Sequence, residues 1–277
     1  VTLRGTLPSF AELLDLEAVG PDRYRTTCVF DESPYTLFGG QVAAQALWAA
    51  ADTVAEGRHP HSLHGYFVAG ATAAEPLDLQ VERDRDGRSF SARRVVVRQH
   101  GRVVFTLSAS FQVPAGAGCD LDLAPASPVP DPAGLPVRGL HRMLSAEARF
   151  PDADGPPGFP PRFWARCTDP LGDSPVRHAC ALTYLSDFSS GLLGLHDRTG
   201  SVTGPSLDHA LWFHRPVRAD EWVLLDLVPR VVAGGRGWYD GTVRTADGAL
   251  VASLTQEALF RPGAVPEGWF PEVAGSG

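Results

Sequence analysis

Hydrophobic and polar positions along this chain alternate in two long stretches whose order of elements is the same. From His64 to Pro114, and again from His209 to Pro262, segments with apolar residues at every second position, the spacing of strands with one buried face, stand between a spacer and turns. Each stretch reads as an aromatic strand, a spacer, an alternating strand, a Gly/Arg turn, another strand, a Gly hairpin and a final strand. "QHGRVVFTLS" and "ADGALVASLT" match best, each a tight turn feeding an alternating strand. The shared order predicts an internal duplication of one antiparallel unit.

Two segments do not alternate. "GGQVAAQALWAAADTV" (39–54) carries no charge before Asp52, and "PVRHACALTYLSDFSSGLL" (175–193) is small and apolar after Arg177. A surface helix shows a polar face, so a helix apolar nearly all round is a buried one. Its alanines and glycines let the backbone approach a sheet closely. The expected fold class is α+β: a tandem (double) hotdog, two curved antiparallel sheets each wrapped around a buried central helix. Proline and glycine crowd 114–136 and 151–161 and interrupt both periods. They separate an N-terminal module (9–113) from a C-terminal module (162–262), with a linker at 114–161 and a tail at 263–277.

Composition then removes whole classes of chemistry. At 277 residues and 44% hydrophobic side chains the chain can bury real cores. A formal charge of -8 leaves no excess of cations to neutralise phosphates, which argues against a nucleic-acid partner. All 24 basic residues are arginine, so a Walker A lysine, a Schiff-base lysine and a Ser-x-x-Lys nucleophile are excluded together. The four cysteines, Cys28, Cys119, Cys167 and Cys180, lie far apart and make neither a zinc knuckle nor a redox pair. No apolar run suits a signal peptide or a membrane span, so a reducing, cytoplasmic setting is expected.

The densest polar chemistry lies in "GPSLDHALWFHRPV" (204–217). Strand alternation puts Ser206, Asp208, Ala210, Trp212 and His214 on one face, and Leu207, His209, Leu211 and Phe213 on the other. Asp208 and His209 then point apart, and Asp208 and His214 stand roughly 20 Å from each other. Neither an acid–histidine pair nor a metal site follows from this segment, and its histidines read as hydrogen-bonded framework. Asp187 draws more attention, as the only acid in 175–193 with Leu182, Tyr184, Leu185 and Phe188 around it. An ionised carboxylate in such surroundings costs several kcal/mol unless it is hydrogen-bonded or partly wet. It reads either as a functional acid or as a helix-end aspartate facing the turn at Ser189–Gly191. Gln256 lies on the last strand, where the first repeat has Ser108 or Ala109, depending on a one-residue gap.

"FGGQVAAQALWAA", "GRSFSARRVVV", "YLSD", "LDHALWFHRP" and "VASLTQEALFR" stand in an order that resembles the bacterial acyl-CoA thioesterase II (TesB-like) family of double-hotdog proteins. The likeness runs from about Phe10 to Arg261 and misses only the linker. In that family an Asp, a Thr or Ser and a Gln hold the attacking water, which implies Asp187, Ser206 and Gln256 here. The residue types suit the task. Asp187 can take a proton from water, the Ser206 hydroxyl can orient it, and the Gln256 amide can fix the third direction. The resemblance implies no metal or cofactor, because a thiolate is a good leaving group. What remains is water positioning and oxyanion stabilisation.

The sequence departs from the family at two places. Ser206 stands where Thr is commoner, which keeps the hydroxyl and loses the methyl. The first half reads "YFVAGAT" where relatives carry Arg-Pro-Gly after the aromatic strand. The expected substrate is therefore an acyl-CoA or an acyl thioester on a carrier protein. Dehydration or hydration of a β-hydroxyacyl thioester, acyl transfer, and non-catalytic acyl-ligand binding are the competing readings. An exposed sheet edge and a flat outer face also predict a homo-oligomer.

Overall fold

The computed structural model describes residues 7–30, 36–114, 116, 118–124, 128–139, 143–151 and 160–264. In the first half the strands are β1 (Leu16–Gly20), β2 (Arg23–Thr26), β3 (His59–Phe67), β4 (Asp78–Asp86), β5 (Phe90–Gln99) and β6 (Arg102–Gln112). Then come β7 (Val137–Gly139), β8 (Ala146–Arg149), β9 (Arg162–Cys167), β10 (Ser201–Ser206), β11 (Asp208–Phe213), β12 (Val223–Ala233), β13 (Arg236–Thr245) and β14 (Leu250–Pro262). The helices are α1 (Phe10–Leu13), α2 (Gly39–Asp52), α3 (Pro175–Leu185) and α4 (His196–Thr199).

One antiparallel sheet runs through both halves in the order β1-β2-β4-β5-β6-β3-β11-β14-β13-β12-β9-β8-β7, with β10 paired to β14 as well. The seam is β3 against β11, from Asp208 opposite Tyr66 to Trp212 opposite Ser62. Outward from that seam the two halves repeat each other: β3, β6, β5, β4 on one side and β11, β14, β13, β12 on the other. The α+β tandem hotdog expected from the periodicity is the observed fold.

Each half wraps its own helix. In α2 every residue from Gly40 to Ala50 except Trp48 is buried, and Leu47 is fully inside the core that also holds Val95, Val97 and Leu107. Enclosing a leucine of that kind stabilises by about 2 kcal/mol. The α3 residues His178 to Leu185 are buried too. The two helices touch each other. A Cβ on Gly40 would lie 2.7 Å from the Tyr184 carbonyl oxygen, a contact only glycine permits. At the opposite end, the Arg177 guanidinium sits 6.0 Å from the Trp48 ring centroid. The start of α2 therefore meets the end of α3, and the pair runs antiparallel.

The second helix is shorter than its apolar pattern predicts, ending at Leu185 rather than near residue 193. Ser186 closes it: its N–H donates to Leu182 O at 2.9 Å and its hydroxyl reaches Thr183 O at 2.9 Å. Beyond it, serines and Gly191 (φ 63) favour turns over helix. Asp187 is thus released from the helix just where α2 begins.

Part of the 114–161 segment is tied to the C-terminal half. Arg215 holds Asp120, and Arg244, itself buried, bonds Asp122 and the Ala124 carbonyl at 2.8 Å each. Further on, β7 and β8 pair onto β9 and extend the sheet. Among the described residues, no helix is long and apolar enough to cross a membrane.

Candidate active site

Asp187 is partly buried and lies against the first turn of α2. The Gly40 backbone N–H donates to its carboxylate, and Oδ2 lies 2.8 Å from where a Cβ on Gly39 would stand. Phe38, the residue before the helix, makes no side-chain cap, so the Gly40 N–H and the positive dipole end of α2 serve this acid. Desolvation nevertheless dominates and raises the Asp187 pKa above the usual carboxylate value. The His209 ring, Gln256 and Gly40 offset part of that rise.

Gln256, on β14 and 2% exposed, is the hub of the polar cluster. Its Nε2 lies 2.8 Å from Asp187 Oδ1 and donates a second hydrogen bond to Ser206 Oγ. Its Oε1 lies 2.6 Å from His209 Nδ1 and 2.6 Å from the Tyr239 hydroxyl. An ionised carboxylate only accepts, so the amide nitrogen must face Asp187 and the amide oxygen must face the other two. All four hydrogen-bonding capacities of the amide are filled. Fully inside the protein, Tyr239 has its pKa pushed well up by burial and stays a donor. Burial lowers the His209 pKa, against the pull of Asp187, Gln256 and Asp208, so the ring is held neutral. Its Nε2 lies 2.8 Å from Ser186 Oγ.

The three residues expected from the family resemblance, Asp187, Ser206 and Gln256, therefore stand together. His209 is a buried, hydrogen-bonded residue pointing away from Asp208, as the sequence implies, but it shares a partner with Ser206. Strand alternation put Ser206 and His209 on opposite faces, yet both reach Gln256. The pairing to β14 changes register between Thr203 and Ser206, and Leu207 falls between β10 and β11. Pro205 lies within this shift and has no N–H to give to a ladder, which is a physical reason for the break. A proline one residue before Ser206 was the signal in the sequence. Tyr239 was missed as well, since one tyrosine in an alternating strand carries no mark of its own.

Asp208 and His214 do stay outside the cluster. Asp208 bonds His64 Nε2 of the other half at 2.9 Å and accepts the Glu257 N–H at 2.7 Å. His214 bonds Ser253 Oγ at 2.9 Å.

The sheet register shows what the first half has at the matching places. Gln256 is opposite Tyr239, and Ala109 is opposite Arg93 in the same position of the first half. Ala109 is buried while Ser108 is exposed, so Ala109 is the counterpart of Gln256. Leu63, opposite Ala109 on β3, takes the place of His209. Only the acid persists: "AQALWAAAD" (44–52) aligns with "ACALTYLSD" (179–187), setting Asp52 against Asp187. Asp52 is exposed and accepts the Tyr24 hydroxyl at 2.7 Å. Pro175, the counterpart of Gly40 in that alignment, has no N–H to offer it. The polar set belongs to the second half alone.

Residues 31–112 match the family described as the acyl-CoA thioesterase N-terminal domain, and residues 122–260 match its C-terminal domain. The acyl-coenzyme A thioesterase 8 of Mus musculus is 33% identical over 281 residues, covering 90% of this chain and 88% of that protein. The acyl-CoA thioesterase 2 of Haemophilus influenzae is 32% identical over 257 residues, 81% and 87% of the two chains. Among solved structures, an acyl-CoA thioesterase II (TesB2) from Mycobacterium marinum is similar. It shares 40% identity at a TM-score of 0.77, over 92% of this chain and 99% of that one.

Proposed function

Because the chain belongs to the TesB-like acyl-CoA thioesterase II family and is a thioesterase, we propose that it hydrolyses acyl-CoA by direct attack of a water held by Asp187, Ser206 and Gln256. The observation that carries this reading is the single amide of Gln256 bridging Asp187 and Ser206. Asp187 takes one proton from the water as its oxygen attacks the thioester carbonyl carbon. The C–S bond then breaks, the thiolate takes that proton from Asp187, and free acid and thiol leave with the carboxylate restored. A raised carboxylate pKa makes Asp187 a stronger base than an exposed aspartate. Ser206 Oγ accepts from Gln256, which leaves its own proton to direct at the water. The N-terminal end of α2 supports charge stabilisation at the same place, since the positive end of the helix dipole suits a developing oxyanion.

Hydration or dehydration would use a histidine paired with an acid. His209 bonds Gln256 instead, and the amide stands between the ring and Asp187, which favours hydrolysis. The test follows free thiol from acyl-CoAs of several chain lengths and from carrier-bound acyl thioesters. Wild type releases thiol, and Asp187→Asn and Gln256→Ala lose at least about 10²-fold in kcat. Equal rates in wild type and both variants would sink the assignment of the three residues. Turnover of carrier-bound substrate alone would move the substrate from CoA to a carrier protein.

A further inference from the structure

Gln256 is symmetrical in shape but not in chemistry, and something must keep it from turning over. While Asp187 is ionised, its carboxylate repels the amide oxygen and enforces the observed orientation. Once Asp187 has taken the proton of the attacking water, that preference is gone, because a carboxylic acid both donates and accepts. In the proposed cycle the orientation must then be held from the other side of the amide.

Two groups stand there. Tyr239 Oη lies 2.6 Å from Gln256 Oε1, but also 3.1 Å from the Ser189 carbonyl. Its hydroxyl can swing to Ser189 and accept from a turned amide, so the phenol alone permits both orientations. His209 is more restrictive. Its ring is fully inside, and a proton on Nδ1 can only donate to Gln256. With Gln256 Oε1 facing it, Nδ1 carries the proton of the neutral ring; Nε2 then accepts from Ser186 Oγ, 2.8 Å away, when the single hydroxyl proton turns to it from the Thr183 carbonyl. Ser186 sits where it does because it closes α3, one residue before Asp187. The charged or titratable groups that act on the ring are Asp187, Asp208 and His64, with Gln256 as its hydrogen-bonded partner.

We infer that His209, with Tyr239, is a positioning residue: its Nδ1–H holds the Gln256 amide with both N–H donors facing Asp187 and Ser206 throughout turnover. This rests on the reading of Asp187, Ser206 and Gln256 as the water-holding set. The first half shows the same sheet position without that task, where Leu63 fills the place of His209 and Ala109 the place of Gln256.

The experiment compares His209→Leu, His209→Asn and Tyr239→Phe in the full chain by steady-state thiol release from an acyl-CoA. Leucine is the residue the fold already accepts at the matching position, and asparagine places an amide N–H where Nδ1–H was. His209→Leu is expected to lose about 10²-fold in kcat with KM little changed. His209→Asn recovers most of that loss, and Tyr239→Phe falls between the two. His209→Leu turning over at the wild-type rate, while Asp187→Asn does not, overturns the positioning role and leaves the hydrolysis reading intact. Undiminished rates in Asp187→Asn and Gln256→Ala would overturn the reading beneath it instead. Should His209→Leu fail to fold, imidazole ¹⁵N spectra of the wild type decide the matter, with the His209 signal among the nine histidines assigned by its loss in His209→Asn. A protonated Nδ1 between about pH 5 and 8 supports the inference; an unprotonated Nδ1 overturns it.

Discussion

Gln256 and Asp187 meet through one N–H, the amide nitrogen 2.8 Å from Oδ1, on elements 69 residues apart in sequence. That bond joins the last strand to the turn after the second helix, and it sets the polarity of every other contact in the cluster.

Replacing Gln256 by Glu puts a second carboxylate against Asp187 and leaves Ser206 without its donor. Like charges at such a separation cannot both ionise, so one proton is shared between them. The expected outcome is a loss of about 10² to 10⁴ in kcat at neutral pH. Thiol release as a function of pH checks it.

The pH dependence of the wild type follows from the Asp187 carboxylate. It must be ionised to act as a base, so kcat/KM falls as pH drops through its pKa. Desolvation puts that pKa above the usual value of about 3.9. The acid limb should therefore lie higher than an unperturbed aspartate would give, and should vanish in Asp187→Asn.

The same shift has a consequence for stability, with a definite sign. A pKa raised on folding means that the folded state binds the proton more tightly than the unfolded chain. The resulting stabilisation is fully present below the unfolded pKa and is lost as pH rises through the folded one. At neutral pH the ionised Asp187 weakens the fold. Asp187→Asn should thus raise Tm at pH 7 while nearly abolishing activity, with the difference shrinking in acid; thermal melts across pH check both parts.

Asp208 should behave differently from its neighbour His209. Its carboxylate serves the His64 pair across the seam and the Glu257 N–H, on the outer side of the sheet. Asp208→Asn should cost about 1 kcal/mol or less in urea unfolding and leave kcat close to wild type.

Gly40→Ala tests the helix contact. The added Cβ would sit 2.6 Å from the Phe38 ring and 2.7 Å from the Tyr184 carbonyl. Backbone cannot yield as a flexible side chain can, so a loss of about 1–3 kcal/mol is expected from denaturant midpoints.

The scaffold was legible because its periods are long and repeated. The apolar stretches around Leu47 and Leu182 could only be buried helices, and the alternating strands could only surround them. Asp187 showed as the one acid in an apolar segment, but its partnership with Ser206 and Gln256 came through family resemblance, since no period links residues so far apart. His209 is the buried, hydrogen-bonded residue expected, but the partner it shares with Ser206 was hidden for a local reason. Alternation holds only while the ladder is regular, and the register shift around Pro205 turns Ser206 and His209 to the same amide. Tyr239 and Ser186 carry no such signal; each matters through a hydrogen bond made across the fold.

The loss of the polar set from the first half says where substitution should be tolerated. Two identical subunits would have to keep every water-holding residue in both copies, because one gene would write them all. Here Leu63 and Ala109 occupy the matching places in the first half and answer only to packing, and Arg93, opposite Ala109, is bound to Thr53 and Asp86, while their counterparts form the polar cluster. A deep mutational scan should therefore be lopsided: apolar exchanges at 63 and 109 pass when the fold survives, whereas 256 admits almost nothing and 209 only a residue that keeps an N–H donor, such as asparagine. The N-terminal half still contributes through the opening turn of its helix, so Gly39 and Gly40 should be its most constrained positions.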